Sequence, residues 1–376
     1  MSPESGRSGP VASSASAAWR VLADDLTGAL DTVCMLGAHA TVHLGRPDAT
    51  GSGLAAVATA SRDVPAAALP ALLRPALGWL GHAGPAYKKV DSLLRGNTFA
   101  ELAWLQAQRP TRWRRIVFAP AYPAQGRLTH GDRLWVNGPG GGFGGSLRDA
   151  FAAQGMQVAD GDTLDDCLAR AGDGPAVLLP TVRTEGDLQA VARWHTDARS
   201  RDWLWAGSAG LAMALGAPQV APRAHAQTPR PGPLLLVTCS RHPVLREQIA
   251  GLCADLPGHV ALHDFSEPRP LPGAEADALL QARARALVAA VARPGLVAVV
   301  GGDTLLALCR ASGARALRAA AGPRAGWGSA TLLGGAWNGV VCLSRSGAFG
   351  GPRDLVELAG LLAPSATASP LKETTA

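Results

Sequence analysis

The chain has 376 residues, enough for two or three domains at roughly 100–200 residues each. Hydrophobic residues make up 47% and charged residues only 17%, which fits an α/β enzyme with a large core and excludes a disordered or fibrous chain. The net charge of +6 is scattered arginine, since Lys88, Lys89 and Lys372 are the only lysines; no basic cluster is interleaved with aromatics, so no nucleic-acid partner is expected, whereas a small anionic substrate suits the charge.

Met1 to Ala18 is rich in Ser, Gly and Ala and lacks an apolar core of signal-peptide length, so a disordered, non-targeting tail is expected. Val21 to Ala23 reads as a buried strand that stops at Asp24 and Asp25 and is followed by a segment of helical length. Strand, acidic turn, helix is how an open α/β sheet builds a site beyond its strand ends. An isolated Asp pair more often caps a helix and faces water. Ala40 to Leu44 and Leu54 to Ala60 are strand candidates, the second ending at Ser61-Arg62. Pro65 to Leu80 reads as helix in short pieces, because Pro70 and Pro75 would break it. Tyr87 to Asp91 is a strand, Phe99 to Gln108 a helix and Arg115 to Ala119 a strand. Pro120 to Gly138 has the punctuation of a hairpin, and Gly138 to Gly145 reads as a mobile loop.

Strands are then expected at 157–159, 176–179 and 204–206, with helices at 163–171, at 184–198 behind a Thr184 cap, and after Gly207-Ser208. Gly216 to Pro233 has five prolines and no periodicity, and marks a linker. Beyond it, strands are expected at 234–237, 259–263, 296–300 and 339–343, and helices at 243–255, 276–292, 305–311 and 352–362. The alternation predicts an α/β fold of two domains, each a mostly parallel sheet flanked by helices, with a cleft between them: 19–215 and 234–376.

The six cysteines form no C-x-x-C pair, so neither a zinc site nor a disulfide framework is expected, and a reducing compartment, the cytoplasm, fits. No run of about 18 apolar residues suggests a membrane span.

Seven polar or Gly-rich turns fall at predicted strand ends: Asp24-Asp25, Ser61-Arg62, Asp91-Ser92, Gly207-Ser208, Ser240, Gly301 to Thr304, and Ser346-Gly347. In parallel sheets these share one edge. The N-terminal set is ionisable: Asp24, Asp25, Arg62, Lys89, Asp91 and Arg95. Its cations suit a carboxylate and its acids suit hydroxyls, a combination for a hydroxylated acid. The C-terminal set is small: Ser240, Gly301, Gly302, Asp303, Thr304 and Gly347. A strand meeting a helix N-terminus there attracts phosphate. No Walker loop and no G-x-G-x-x-G after a strand is present.

In this order the motifs resemble those of the four-carbon acid sugar kinase family: ADDLTGALD (Ala23 to Asp31), Ser61-Arg62, K-x-D-S-x-x-R-G-N (Lys89 to Asn97), P-A-Y-P-x-x-G-R-x-T (Pro120 to Thr129), G-S-A-G-L-A (Gly207 to Ala212), G-G-D-T (Gly301 to Thr304) and R-S-G-x-F-G (Arg345 to Gly350). The resemblance implies ATP- and Mg²⁺-dependent phosphorylation of the terminal hydroxyl of an acid such as erythronate, threonate or a 2-oxo relative. It implies a substrate site of Asp24, Asp25, Arg62, Lys89, Asp91, Ser92 and Arg95, and an ATP site of Ser240, Gly301 to Thr304 and Gly347. Asp24 is then the expected base, with Asp91 second, and a homo-oligomer stays open. Where the family has Gly-Ser and Lys, this chain has Cys239-Ser240 and Arg345, which motivates an alternative: a catalytically diverged sugar-acid or nucleotide binder on the same fold.

Overall fold

A computed structural model describes residues 18–363 apart from 38–39, 49–52, 83, 138–143, 217–232, 292, 321, 325 and 348. The expected tail up to residue 17, nearly all of the Pro-rich linker and most of the Gly138 to Gly145 run lie outside the described residues.

In chain order the first half holds β1 (Arg20–Ala23), α1 (Leu26–Leu36), β2 (Thr41–Leu44), β3 (Ala55–Ala58), α2 (Leu69–Leu80), β4 (Ala86–Lys89), α3 (Thr98–Gln108), β5 (Arg115–Ala119), a hairpin of β6 (Arg127–His130) and β7 (Arg133–Val136), α4 (Leu147–Ala152), β8 (Val158–Gly161), α5 (Leu164–Ala171), β9 (Ala176–Pro180), α6 (Glu185–Arg193), β10 (Leu204–Gly207) and α7 (Ala209–Gly216). The second half holds β11 (Leu234–Thr238), α8 (Pro243–Cys253), β12 (Val260–Asp264), α9 (Gly273–Ala290), β13 (Leu296–Val300), α10 (Gly302–Ser312), β14 (Ala316–Ala320), β15 (Gly328–Leu333), β16 (Val341–Arg345) and α11 (Asp354–Leu361).

Local chemistry explains the helix starts. Thr163 with Asp166, and Thr184 with Asp187, form reciprocal capping boxes at α5 and α6. Asp25 caps α1 by accepting from the Gly28 N–H. The region of α2 departs from expectation. Ala66–Ala68 forms a short 3₁₀ turn and α2 then runs unbroken through Pro75. Pro70 sits in its first turn, where the missing N–H costs nothing. Leu69, Leu73, Ala76 and Leu80 bury one face of the helix, and that packing outweighs the hydrogen bond lost at Pro75.

Among the described residues fourteen strands form one sheet, in the order β12-β11-β13-β16-β15-β14-β2-β3-β1-β4-β10-β5-β9-β8. The α/β class with mostly parallel strands matches the expectation. The two expected sheets are joined edge to edge: β14 pairs antiparallel with β2, Leu317 opposite Val42, and β15 is antiparallel to both its neighbours. One buried cluster follows a single face of the whole sheet, from Val21 and Val117 through Val42 and Leu317 to Val237 and Val299. The opposite face carries a separate cluster in each half.

The parallel strands of the two halves run in opposite senses, because β14 and β15 reverse the direction between them. Six strand-to-strand steps separate β1 from β13. At about 20–25° each, they turn the sheet by roughly 120–150°. The carboxyl ends of both strand sets thereby come to face each other beside α1, which packs against β1, β2 and β3 as well as α10, β14 and β15. No helix among the described residues is long and apolar enough to cross a membrane.

Candidate active site

In the first half β1, β3, β4 and β10 pair in parallel, with Ala23 opposite Ala58 and Lys89, and Lys89 opposite Gly207. This register puts Asp24, Ser61-Arg62, Lys89, Asp91 and Ser208 on one edge, as the sequence implies.

Arg62 is the hub. Its Nε donates to Asp24 Oδ2 at 2.8 Å and its Nη2 to Asp24 Oδ1 at 3.1 Å, a bidentate pair. Nη2 also contacts the Asp25 carboxylate and lies 3.8 Å from Asp91 Oδ1. Asp91 in turn accepts from Arg95 Nε at 2.9 Å and Nη2 at 2.7 Å, and from the backbone N–H groups of Leu93 and Arg95.

These partners set the titration of the acids. Burial works against the charge of Asp24, but Lys88, Arg62 with its hydrogen bonds, and Lys89 outweigh it, so its carboxyl titrates below the ordinary value. At Asp91 burial is likewise overcome, by the Arg95 hydrogen bonds and the charge of Arg62, and the carboxyl lies well below the carboxylate range. Both acids expected as proton acceptors are therefore engaged and reluctant to take a proton.

Lys89 differs. Its buried ammonium donates to the Val90 carbonyl at 2.8 Å and has no carboxylate within ion-pair distance among the described residues. It sits over the start of α1: a methyl group at Gly28 would lie 3.0 Å from Nζ. Its neighbour Lys88 points the other way, into a buried pair with Glu101 at 2.5 Å, and Glu101 also binds Ser61. Lys88 and Glu101 thus brace the Arg62 loop from below, a role no sequence signal announced.

Much of the Lys89 to Asn97 stretch is a clasp on that loop. Asn97 Nδ2 donates to the Ser61 and Val64 carbonyls at 2.9 and 2.8 Å. Gly96 has φ +81°, and a Cβ there would meet the Arg62 carbonyl at 2.7 Å. Ser92 lies on the clasp, half-buried, and Arg95 is largely exposed.

In the second half β11, β13 and β16 pair in parallel, with Thr238 opposite Val300 and Val300 opposite Arg345. Gly301 precedes α10 with φ +114° and no side chain among the described residues caps the helix, so its first N–H groups can meet an anion. Ser240 and Gly347 come together: a Cβ at Gly347 would collide with Ser240 Oγ. Thr304 turns its side chain into the core. Its buried hydroxyl donates to Cys239 Sγ at 3.0 Å and accepts from the Cys239 N–H at 3.1 Å, so the side chain faces inward and ties β11 to α10. Asp303 opens to solvent; crowding, then the charges of Asp63, Asp277 and Asp25, push its carboxyl up. Arg345 is buried, paired with Asp354 at 2.9 Å, bonded to Gln248 and stacked 4.8 Å over the Trp327 ring. It anchors the 345–350 loop from inside.

The two sets meet across α1. A Cβ at Gly302 would lie 3.2 Å from Thr27 Oγ1, and one at Gly328 4.0 Å from Asp31 Oδ1. Asp31 ends the ADDLTGALD stretch, and its spacing one turn beyond Thr27 and Gly28 was the signal that could have placed it in the cleft. A separate hollow of about 710 Å³ lies over the β2–β14 seam, lined by Thr41, His43, Asp48, Arg315 and Asn338, and holds none of the expected site residues. No group of three or more His, Cys, Asp or Glu among the described residues is arranged to hold a metal ion.

Residues 19–149 match the family model of a sugar-binding N-terminal domain. The chain is 33% identical to a D-threonate kinase of Cupriavidus necator over 62% of this chain and 63% of that one. It is 36% identical to a D-threonate kinase of Salmonella typhimurium over 31% of this chain and 29% of that one. The match thus spans less than two thirds of either protein. With a D-threonate kinase of Bordetella bronchiseptica it is 28% identical over 88% of this chain and 94% of that one. Two solved structures share the fold: a Salmonella typhimurium LT2 protein described as a putative tRNA synthase (TM-score 0.69, 20% identity, 90% and 98% covered) and a Haemophilus influenzae protein (TM-score 0.65, 17% identity, 92% and 100% covered).

Proposed function

We propose that the chain is a member of the four-carbon acid sugar kinase family and that it transfers the γ-phosphoryl group of ATP to the terminal hydroxyl of a four-carbon sugar acid of the threonate or erythronate type, a reading supported by its similarity to a sugar-binding N-terminal domain and to D-threonate kinases. The observation that supports this reading most is the meeting of an ionic strand-end set with an uncapped helix N-terminus across one cleft, where Gly302 reaches Thr27. Phosphoryl transfer asks mainly for positioning and charge neutralisation.

In this reading residues 19–215 hold the acid and residues from 234 onward hold the nucleotide. Lys89 takes the substrate carboxylate, for which its ammonium has donors to spare. Asp24, Asp25, Arg62, Asp91, Ser92 and Arg95 form the polar wall around it. The backbone at Gly301 and Gly302, with the Ser240–Gly347 contact beside it, holds phosphates. Magnesium would be held by the phosphate oxygens and supplies neutralisation of their charge. Arg345 and Cys239, which motivate the binding-only alternative, are spent on internal contacts, and the structure gives that alternative no added support.

The test is coupled ADP release with Mg²⁺ and ATP over D- and L-erythronate, D- and L-threonate and their 2-oxo forms. Release with one of these acids is expected. Silence across the panel, with ATP still raising the melting temperature, would favour a binder.

A further inference from the structure

Asp31 stands apart from the other acids of the N-terminal set. Asp24 and Asp25 are held by Arg62, and Asp91 by Arg95. The Asp31 carboxylate has no hydrogen bond or ion pair among the described residues and stays open to solvent. It shares a face of α1 with Thr27 and Gly28, four and three residues earlier. Gly28 lies under the Lys89 ammonium, and Thr27 meets Gly302 at the start of α10. Asp31 is thus one helical turn along α1 from the residues that meet the cation suited to a carboxylate and the N-terminus suited to phosphate.

We propose that Asp31 is the general base of phosphoryl transfer: its carboxylate takes the proton of the substrate's terminal hydroxyl as that oxygen attacks the γ-phosphorus. The new O–P bond forms, the bond from the γ-phosphorus to the bridging oxygen breaks, and ADP leaves with the electron pair. The inference rests on the kinase reading above.

The charged and titratable groups facing Asp31 are Lys89 from β4, Asp25 from the cap of α1, Cys34 from α1, and Tyr122 from the loop after β5; β15 presents the uncharged Gly328. Crowding by the surrounding protein and the charge of Asp25 push the Asp31 carboxyl up to about 6 against the pull of Lys89. A base is most efficient when its pKa lies near the working pH.

A carboxyl raised in the folded chain above its ordinary value of about 3.9 makes its ionised form a burden above pH 6. That burden fades as pH falls toward the unfolded value.

The experiment is Asp31→Asn in the full chain, with Asp31→Glu beside it, using the acid found active in the wild type. The expected kcat is about 10²–10⁴-fold lower, with the KM for the acid within a few-fold. The wild type's acid limb near pH 6 in kcat is absent from the variant. ATP and the acid still raise the variant's melting temperature, which at pH 8 equals or exceeds that of the wild type. Partial rescue by Glu is expected. A kcat within threefold of the wild type, or an unchanged acid limb, would overturn the proposal. A lowered melting temperature with lost ligand binding would overturn it in favour of a structural role. A wild type silent toward every acid overturns the kinase reading, and the base with it.

Discussion

Arg62 is committed to Asp24 and Asp25 at once, which explains how two adjacent carboxylates persist at a strand end. Arg62→Ala is expected to leave them unpaired. Breaking a buried pair costs about 3–5 kcal/mol, less here because the Arg62 side chain keeps 17% exposure. Asp24 titrates below its ordinary value, so the pair's contribution is full above about pH 4 and is lost as pH falls through the folded value. Thermal melts from pH 3 to 8 should show a gap between wild type and variant that narrows below pH 4. A gap constant across that range would contradict the role given to the pair. The sequence offered Asp24, Asp25 and Arg62 as neighbours of a ligand but not of each other. Spacing along a chain does not show which charges cancel, and for the same reason the inward turn of the Thr304 hydroxyl to Cys239 was not legible.

The Lys89 to Asn97 stretch, legible as a motif, has two physical parts. Lys89 faces the cleft, and Asp91, Gly96 and Asn97 fold the segment against the Arg62 loop. Gly96→Ala is expected to combine about 1–2 kcal/mol of left-handed backbone strain with a collision at the Arg62 carbonyl. It should lower the melting temperature and raise the KM for the acid more than it lowers kcat. Unchanged values of both would show that the clasp does not position Arg62. Where a rule of local chemistry applies, the elements were readable: the Thr184 capping box and the apolar β11 and β13 stand as expected. β14 and β15 were not. Ala316 to Ala320 is alanine-rich and follows a helix, and Gly328 to Leu333 is bracketed by glycines, so neither carries a strand pattern. Their strand state comes from pairing with β2 and β16, a tertiary effect.

Those two unannounced strands decide the shape of the molecule. They fuse both halves into one twisted sheet and reverse its strand sense, so that two separately built edges face one cleft across α1. A substrate held by its carboxylate at Lys89, with phosphates arriving from α10, must present its far hydroxyl to the nucleotide. The most direct measurement is the phosphorus NMR spectrum of the full chain incubated with ATP, Mg²⁺ and the acid active in the ADP-release panel. A new phosphomonoester resonance coupled to a methylene group is expected, placing the phosphoryl on the terminal carbon. An ester on a carbon next to the carboxylate, or ATP left unchanged with every acid of the panel, would contradict the arrangement.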